Sequence, residues 1–377
     1  MKIFHLANDV KRSGNGIVNV MVDLACEQSR EGHEVTIISG GGEYEAMLRK
    51  HSVRHIFLQQ RPMKKIAIPF AFMKFIRLII MEKPDVIHAH MITGLFLAKL
   101  SKCFARFALV STVHNEFNAS SKYMGMADHV VGVSNAVSQS MIKRGVSEHK
   151  ISTVWNGIVG TPRREEMVFT NNVTLQHPSV TTVAGLFKRK GIDVLLLAFS
   201  KSSARSVNAH LYIIGEGRDR DEFESLSVQL GLTDRVHFLG FKNNVTEYLE
   251  QTEIFVLASI KDPFPLVLLE AREAGCAIIA SDIDGMPEAL DGGKSGALVP
   301  PGDADCLARE LTRLLDDRDY LLNARNKASI GIEQFSSTAM SNSYLNIYES
   351  MLERRKGSRE IGLKTDAVIG DGSQTIQ

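Results

Sequence analysis

Along the first half of the chain, short runs of β-branched residues alternate with stretches long enough for a helix. The order is IFHLA, then Val18 to Arg30, EVTIIS, Ala71 to Met81 and DVIHAH, followed by further strand-like runs at FALVSTVH, HVVGVS and ISTVWN. Strands alternating with helices imply βαβ units and a parallel sheet covered on both faces. The second half starts the pattern afresh. There SVTTVAGLF, AHLYIIG, RVHFLG, IFVLAS and CAIIAS read as strands, with helices near Ile192 to Ser200, Asp219 to Leu230 and Leu266 to Gly275. The fold class is therefore α/β, with two Rossmann-like doubly wound units.

Between them, Gly160 to Pro178 is rich in Thr, Arg, Glu, Asn and Pro and has no clear period, which suits a linker. This places a first domain at 1–162 and a second at 178–336, with a helix around 337–354 expected to rejoin the first domain. The tail 356–377 has little to bury and is expected to be disordered.

Length and composition agree with this division. A chain of 377 residues exceeds what one core usually serves. With 44% hydrophobic and 23% charged residues and a formal net charge of +1, it reads as a soluble globular protein, and nothing in the balance calls for nucleic acid. Cys26, Cys103, Cys276 and Cys306 are scattered without metal or disulfide spacing, which fits a reducing cytoplasm. The opening MKIFHLAND is too polar for a signal peptide. The most apolar stretch, Ile66 to Met81, is interrupted by Pro69, Lys74 and Arg77, so no membrane span is expected.

In open parallel sheets ligands bind beyond the carboxyl ends of the strands, so the loops there carry the candidate chemistry. SGNG (13–16) precedes a helix, where glycines let backbone N–H groups approach an anion; an ordinary tight turn reads equally well. His88, His90 and His114 end strands. No third ligand at metal spacing accompanies them, so they read as cleft-wall or core histidines rather than a metal site. Lys188-Arg189-Lys190-Gly191 follows a strand, where its cations suit a diphosphate, although a solvated charge run has the same composition. Gly215 to Gly217 is a similar glycine loop.

The segment SIKDPFPLVLLEAREAGCAIIAS is more specific. A helix starts after Pro265 and Gly275 caps it, so Asp262 precedes the helix and Glu270 lies inside it; an acidic cap plus a surface glutamate is the plain alternative. SDIDGMPEAL follows, with Pro287 and Glu288 opening another helix. Its Asp282-x-Asp284 lies in a turn, where Asp is common for backbone reasons, and no metal is expected.

Taken in order, KGIDVLLLAF, LYIIGEG, LTDRVHFLGF, YLEQTEIFVLAS, Asp262 to Glu288 and GALVPPGD resemble glycosyltransferase family 4, retaining enzymes of the GT-B fold. The N-terminal half adds SGNG, SREGHEVTIIS, DVIHAH, STVH and VWNGI, so the resemblance covers nearly the whole chain to about Tyr348. It implies catalytic roles for His114, Asp262 and Lys190. Asp262 and Glu270 match the two acids that contact the donor sugar and the ribose, Lys190 the pyrophosphate lysine, and Gly14 and Gly16 the loop over the phosphates. It extends the donor site to Arg189, Gly215, Phe241, Phe264, Leu266 and Gly285, and the acceptor side to His90, His114, Asn115 and Asn156.

Three departures stand out. The first acid is Asp262, one methylene shorter than the usual Glu, and Pro263 and Pro265 remove two backbone donors from its turn. Leu186 stands where the family has an arginine, with Arg189 as the candidate substitute, and Asp284 replaces the first of two glycines.

The resemblance implies transfer from a nucleotide-sugar, with UDP as the family's common carrier, to a glycan or an undecaprenyl or other lipid-linked acceptor, without a metal or other cofactor. Cationic side chains and helix N-termini at the departing diphosphate would stabilise its charge. A sugar-nucleotide epimerase on the same fold would release no UDP, and a non-catalytic binding homologue would tolerate Asp262→Ala. A nicotinamide oxidoreductase lacks its full dinucleotide fingerprint here. Lys64, Lys65, Lys74 and Arg77, interleaved with Ile66, Phe70, Phe72 and Phe75, suggest peripheral docking on an anionic membrane; a buried helix with solvated lysines is the alternative.

Overall fold

The computed structural model of the chain describes residues 1–12, 14–60, 68–166, 173–203 and 208–369. The first half runs β1 (Lys2–Leu6), α1 (Gly16–Arg30), β2 (Glu34–Ser39), α2 (Glu45–Lys50), β3 (Arg54–Phe57), α3 (Ile68–Glu82), β4 (Val86–Ala89), α4 (Ile92–Ser101), β5 (Ala108–Val113), β6 (His129–Gly132), α5 (Asn135–Lys143) and β7 (Ile151–Thr153). The second runs β8 (Ser179–Val183), α6 (Ile192–Ser203), β9 (His210–Ile214), α7 (Arg220–Gln229), β10 (Val236–Gly240), α8 (Val245–Glu250), β11 (Ile254–Leu257), α9 (Leu266–Glu273), β12 (Ala277–Ser281), α10 (Met286–Ala289) and β13 (Ala297–Val299). Helices α11 (Ala304–Asp316), α12 (Arg318–Ala328) and α13 (Ser337–Ile369) follow.

All strands pair in parallel, in two sheets of order β3-β2-β1-β4-β5-β6-β7 and β10-β9-β8-β11-β12-β13. Both sheets reverse their direction of growth beside the first strand of the domain, between β1 and β4 and between β8 and β11, the places where such folds hold ligands.

Burial on both faces explains the near-continuous apolar strands. On one face of the first sheet, Phe4, Leu6, Ile87 and Leu109 pack with Phe75 and Ile79 of α3. On the other, Ile3, Val86 and Val110 meet Leu24 of α1 and Tyr344 and Tyr348 of α13. In the second domain, Leu196 and Phe199 of α6 and Leu307 and Leu311 of α11 cover Val180, Val256 and Ile279. Apolar packing also runs from one domain into the other through Val133, Ile158, Phe264 and Met286.

The four-residue edge strand β3 was not anticipated from the sequence. It carries Arg54 and His55 and leaves Phe57 exposed, so it lacks the apolar run of a central strand. Conversely, β8 ends at Val183, so Ala184 to Phe187 of its predicted strand form a loop. The tail expected to be disordered from 356 continues α13 to Ile369, consistent with its Arg, Glu, Leu, Lys and Ala content; residues 370–377 lie outside the described part. In the connection between domains, buried Arg163 donates through Nε to both carboxylate oxygens of Asp23 at 2.9 Å, and Arg164 pairs with Glu273. Among the described residues, no helix is long and apolar enough to cross a membrane.

Candidate functional site

The loops beyond β8 and β11 meet at one ion pair. Lys190 ends a turn at Lys188–Lys190, and its Nζ contacts Oδ2 of Asp262; both side chains are largely buried. Gly191 makes this approach feasible. It sits at φ +64°, and a Cβ there would lie 1.9 Å from the carbonyl oxygen of Ala258, at the end of β11. Lys188 is turned away, pairing with Glu222 of α7 at 2.9 Å.

Asp284 accounts for one departure from the family pattern. Its backbone has φ +51°, a left-handed conformation that glycine takes freely and Asp tolerates, and its Oδ2 accepts the backbone N–H of Asp262 at 2.9 Å. Asp284 thereby fixes the turn that carries Asp262. Gly285 is packed so closely that a Cβ would lie 2.0 Å from the Pro263 carbonyl oxygen and 3.0 Å from Ser134 Cβ of the first domain.

The two domains close on each other around this point. A Cβ on Gly14 would lie 3.1 Å from the ring of Phe241, and one on Gly16 3.5 Å from Leu266. Arg189 lies over the ring of Phe117 at 4.7 Å, and Lys261 pairs with Glu116 at 3.3 Å. The expected glycine loop, Phe241, Leu266, Arg189 and Lys190 are thus brought to facing edges of one cleft. A polar cavity of about 500 Å³ opens between Glu116, Gln139, Lys143, Asp282 and Asp284.

Phe264 is buried against Phe335, with ring centroids 5.9 Å apart, so its side chain belongs to the core. Leu186 is fully buried as well and offers nothing to a phosphate. Glu270 sits on α9, where burial pushes its carboxyl pKa up and Arg163 opposes that shift. Gly215 holds φ +137°, where a Cβ would lie 2.0 Å from the Ala184 carbonyl oxygen, and so packs the loops after β8 and β9 together. Asn156 donates from Nδ2 to the Phe264 carbonyl at 3.5 Å, and its buried Oδ1 has no protein partner. Asn115, next to His114, is half-buried. The Glu288 carboxylate crosses to the first domain, where the N–H groups of Asn135 and Ala136 donate to it at 2.8 and 3.0 Å.

The histidines form a buried network. His5 pairs in register with His88, and alternation along β1, β4 and β5 puts His5, His88, His90, Thr112 and His114 on one sheet face. The third histidine at metal distance, absent from the sequence reading, is His5: nitrogens of His5, His88 and His90 lie within 4.8 Å of one another. All six of those nitrogens already have partners. His88 bonds Thr112 Oγ1 and Tyr348 OH, each at 2.7 Å, while His5 and His90 bond each other, Gln28 and His114. A cation would have to break these bonds, so the donor set fits a hydrogen-bond network better than a metal centre. Burial lowers the pKa of His5 to about 4 and of His114 to about 3, and holds His88 and His90 well below the usual range.

Sequence reasoning missed Gln28, Phe117, Trp155, Lys261, Tyr344 and Tyr348. Their contacts depend on how distant elements pack, and only the alternating His/apolar spacing of DVIHAH pointed toward the network.

Known proteins share this architecture and sequence pattern. Residues 14–159 match the family model described as Glycosyltransferase Family 4, and residues 163–330 the one described as Glycosyl transferases group 1. The N-acetyl-alpha-D-glucosaminyl L-malate synthase of Bacillus anthracis is 26% identical, covering 92% of this chain and 96% of its own. The lipopolysaccharide core biosynthesis glycosyltransferase LpsE of Rhizobium meliloti is 24% identical, covering 92% and 98%. A crystal structure of Anabaena HepE in complex with UDP and glucose superposes with a TM-score of 0.77 at 20% identity, covering 93% of this chain and 100% of that one.

Proposed function

The chain belongs to glycosyltransferase family 4 and is a glycosyltransferase of the GT-B fold, and we propose that it moves a sugar from a UDP-sugar to a hydroxyl of a glycan or lipid-linked acceptor, with retention at the anomeric carbon. The observation that carries this reading is the buried Lys190–Asp262 pair at the carboxyl ends of β8 and β11, where the second sheet faces the first domain. Without donor, Asp262 neutralises Lys190. A bound diphosphate competes for the ammonium, and Asp262 is released to accept hydroxyl groups of the sugar.

The bond from the anomeric carbon to the diphosphate oxygen breaks as the acceptor oxygen bonds to the same face, and the acceptor proton passes to the departing diphosphate. Lys190 and Arg189 offset the charge on the leaving group, so the step proceeds without a metal. The saturated histidine nitrogens support that reading. The complex of Anabaena HepE with UDP and glucose supports UDP as the carrier. The relation to LpsE supports a place in cell-surface polysaccharide or lipopolysaccharide synthesis.

A lipid-linked acceptor places the enzyme at the inner face of the cell membrane, and α3 supplies a surface for that contact. Phe70 and Met73 are 71% and 66% exposed, Ile80 and Met81 lie beside them, and Lys74 and Arg77 add positive charge suited to anionic headgroups. Beneath them is an apolar cavity of about 300 Å³ lined by Ile56, Leu58, Phe75 and Leu78. Phe75 itself is buried, Phe72 stacks edge-on with Phe104, and Lys64, Lys65 and Ile66 lie outside the described residues.

Calorimetric titration with UDP tests the donor site. Wild-type protein is expected to bind and Lys190→Ala to lose most of that affinity; equal binding by both would remove Lys190 from the site.

A further inference from the structure

His114, directly after β5, ends a chain of side chains that leads across one face of the first sheet to Gln28 on α1. Its Nε2 lies 3.1 Å from Nδ1 of His90, Nε2 of His90 lies 3.0 Å from Nδ1 of His5, and Nε2 of His5 lies 2.8 Å from Oε1 of Gln28 on α1. The three imidazoles are neutral at pH 7 because burial disfavours the charged form. A neutral imidazole carries one N–H and one lone pair, so the donors along such a chain must all point the same way.

Gln28 sets that direction. Its amide oxygen has no proton to give, so Nε2 of His5 donates to it and Nδ1 of His5 is left as an acceptor. His90 then donates from Nε2 to His5 and accepts at Nδ1 from Nε2–H of His114. The remaining nitrogen, Nδ1 of His114, is unprotonated and bonds no described residue. The amide nitrogen of Gln28 is buried and unpartnered, outside the chain. Residues 115–117, directly after His114, reach the second domain through Glu116 and Phe117.

We propose that Gln28, His5 and His90 are positioning residues that lock His114 in its Nε2–H tautomer, so that Nδ1 offers the cleft a hydrogen-bond acceptor and selects a sugar hydroxyl that donates. This rests on the reading of the cleft as the donor-sugar site. A deoxy sugar, or one whose hydroxyl is methylated at that position, would lose the contact. The hydrogen bonds of His88 run to α13 and serve as an anchor: Thr112 links His88 to Tyr344 OH at 2.9 Å, and Tyr348 OH bonds Nδ1 of His88 at 2.7 Å.

The test uses the full-length protein labelled with 15N-histidine. Long-range 1H–15N correlations distinguish protonated from unprotonated ring nitrogens, and His114 is assigned by the signals lost in His114→Gln. Wild type is expected to show His114 protonated at Nε2 alone. Gln28→Leu is expected to let the Nδ1–H form appear, while Gln28→Glu, whose carboxylate can only accept, keeps the wild-type form. In parallel, UDP release is followed from UDP-glucose, UDP-galactose and UDP-N-acetylglucosamine. For the sugar turned over, kcat of Gln28→Leu is expected to fall about tenfold, the effect of one hydrogen bond, with KM unchanged. An Nδ1–H tautomer in wild type, or no change of tautomer in Gln28→Leu, overturns the proposal. A changed tautomer with unchanged turnover supports the relay and instead overturns the placement of His114 beside the reacting sugar.

Discussion

The indole N–H of Trp155 in the first domain donates to Oε2 of Glu288 in the second at 2.7 Å. The same carboxylate accepts the N–H groups of Asn135 and Ala136 at the start of α5, where the helix dipole favours a negative charge. Three donors of one domain thus converge on one side chain of the other, on α10, which directly follows the loop that carries Asp284. Closure of the cleft and the shape of the Asp262 turn are therefore physically linked.

Removing that carboxylate leaves the indole N–H without its partner in the interface between the domains. Glu288→Ala is expected to cost about 1–3 kcal/mol of closure and to lower kcat/KM roughly ten- to hundredfold. Small-angle scattering would show a larger radius of gyration than wild type. An unchanged radius with full activity would mean the contact does not govern closure.

The two halves of the Lys190–Asp262 pair should separate in binding experiments. Lys190→Met is expected to weaken UDP binding about 100-fold, the scale of a charge-assisted contact. Asp262→Asn removes the group that competes with phosphate, so UDP should bind as well or more tightly while turnover falls at least tenfold. If both variants weakened UDP equally, Asp262 would be a nucleotide ligand and not a partner exchanged during binding.

The buried histidines make stability depend on pH in a definite direction. His5, His88, His90 and His114 have lowered folded-state pKa values, about 4 for His5 and about 3 for His114. Below about pH 6.5 the unfolded chain binds protons that the folded chain refuses. Their contribution is complete above pH 6.5 and is lost progressively as pH falls toward the folded values. Each fully uptaken proton gives a slope of about 1.4 kcal/mol per pH unit, so the urea midpoint should drop steeply between pH 6.5 and 4. A flat profile there would place the histidines in contact with solvent.

Membrane contact through α3 predicts that Phe70→Glu with Met73→Glu abolishes sedimentation with vesicles containing phosphatidylglycerol, while UDP binding is preserved. Sedimentation of the double variant at the wild-type level would assign any binding to another surface.

The sequence made the two sheets legible because central parallel strands such as EVTIIS and FALVSTVH are buried on both faces and read as apolar runs. Edge strand β3, half polar and half exposed, gave no such signal. Within the site, the loops that hold Gly14, Lys190 and Asp262 were legible because they follow strands of the βαβ pattern, whereas the roles of these residues and of Phe241 are what the family resemblance implies. The reach of Glu288 into α5 was not. That contact joins positions 152 and 153 apart in the chain, and no local periodicity encodes it. The ring of Phe264 was equally illegible: it is buried against Phe335, which arrives from beyond α12. His5 escaped notice as a partner of His88 and His90 because its strand precedes theirs by about eighty residues and meets them only through sheet register.

The stereochemistry of transfer tests the central claim most directly. The full-length enzyme is incubated with UDP-α-hexoses in turn, with glycan acceptors or water alone, and the anomeric proton of the first-formed product is followed by 1H NMR. The expected result is an α-configured product, with its small vicinal coupling, before any mutarotation, accompanied by stoichiometric UDP and lost in Lys190→Met. A β-configured first product would contradict same-face transfer, and an altered sugar still attached to UDP would contradict transfer altogether.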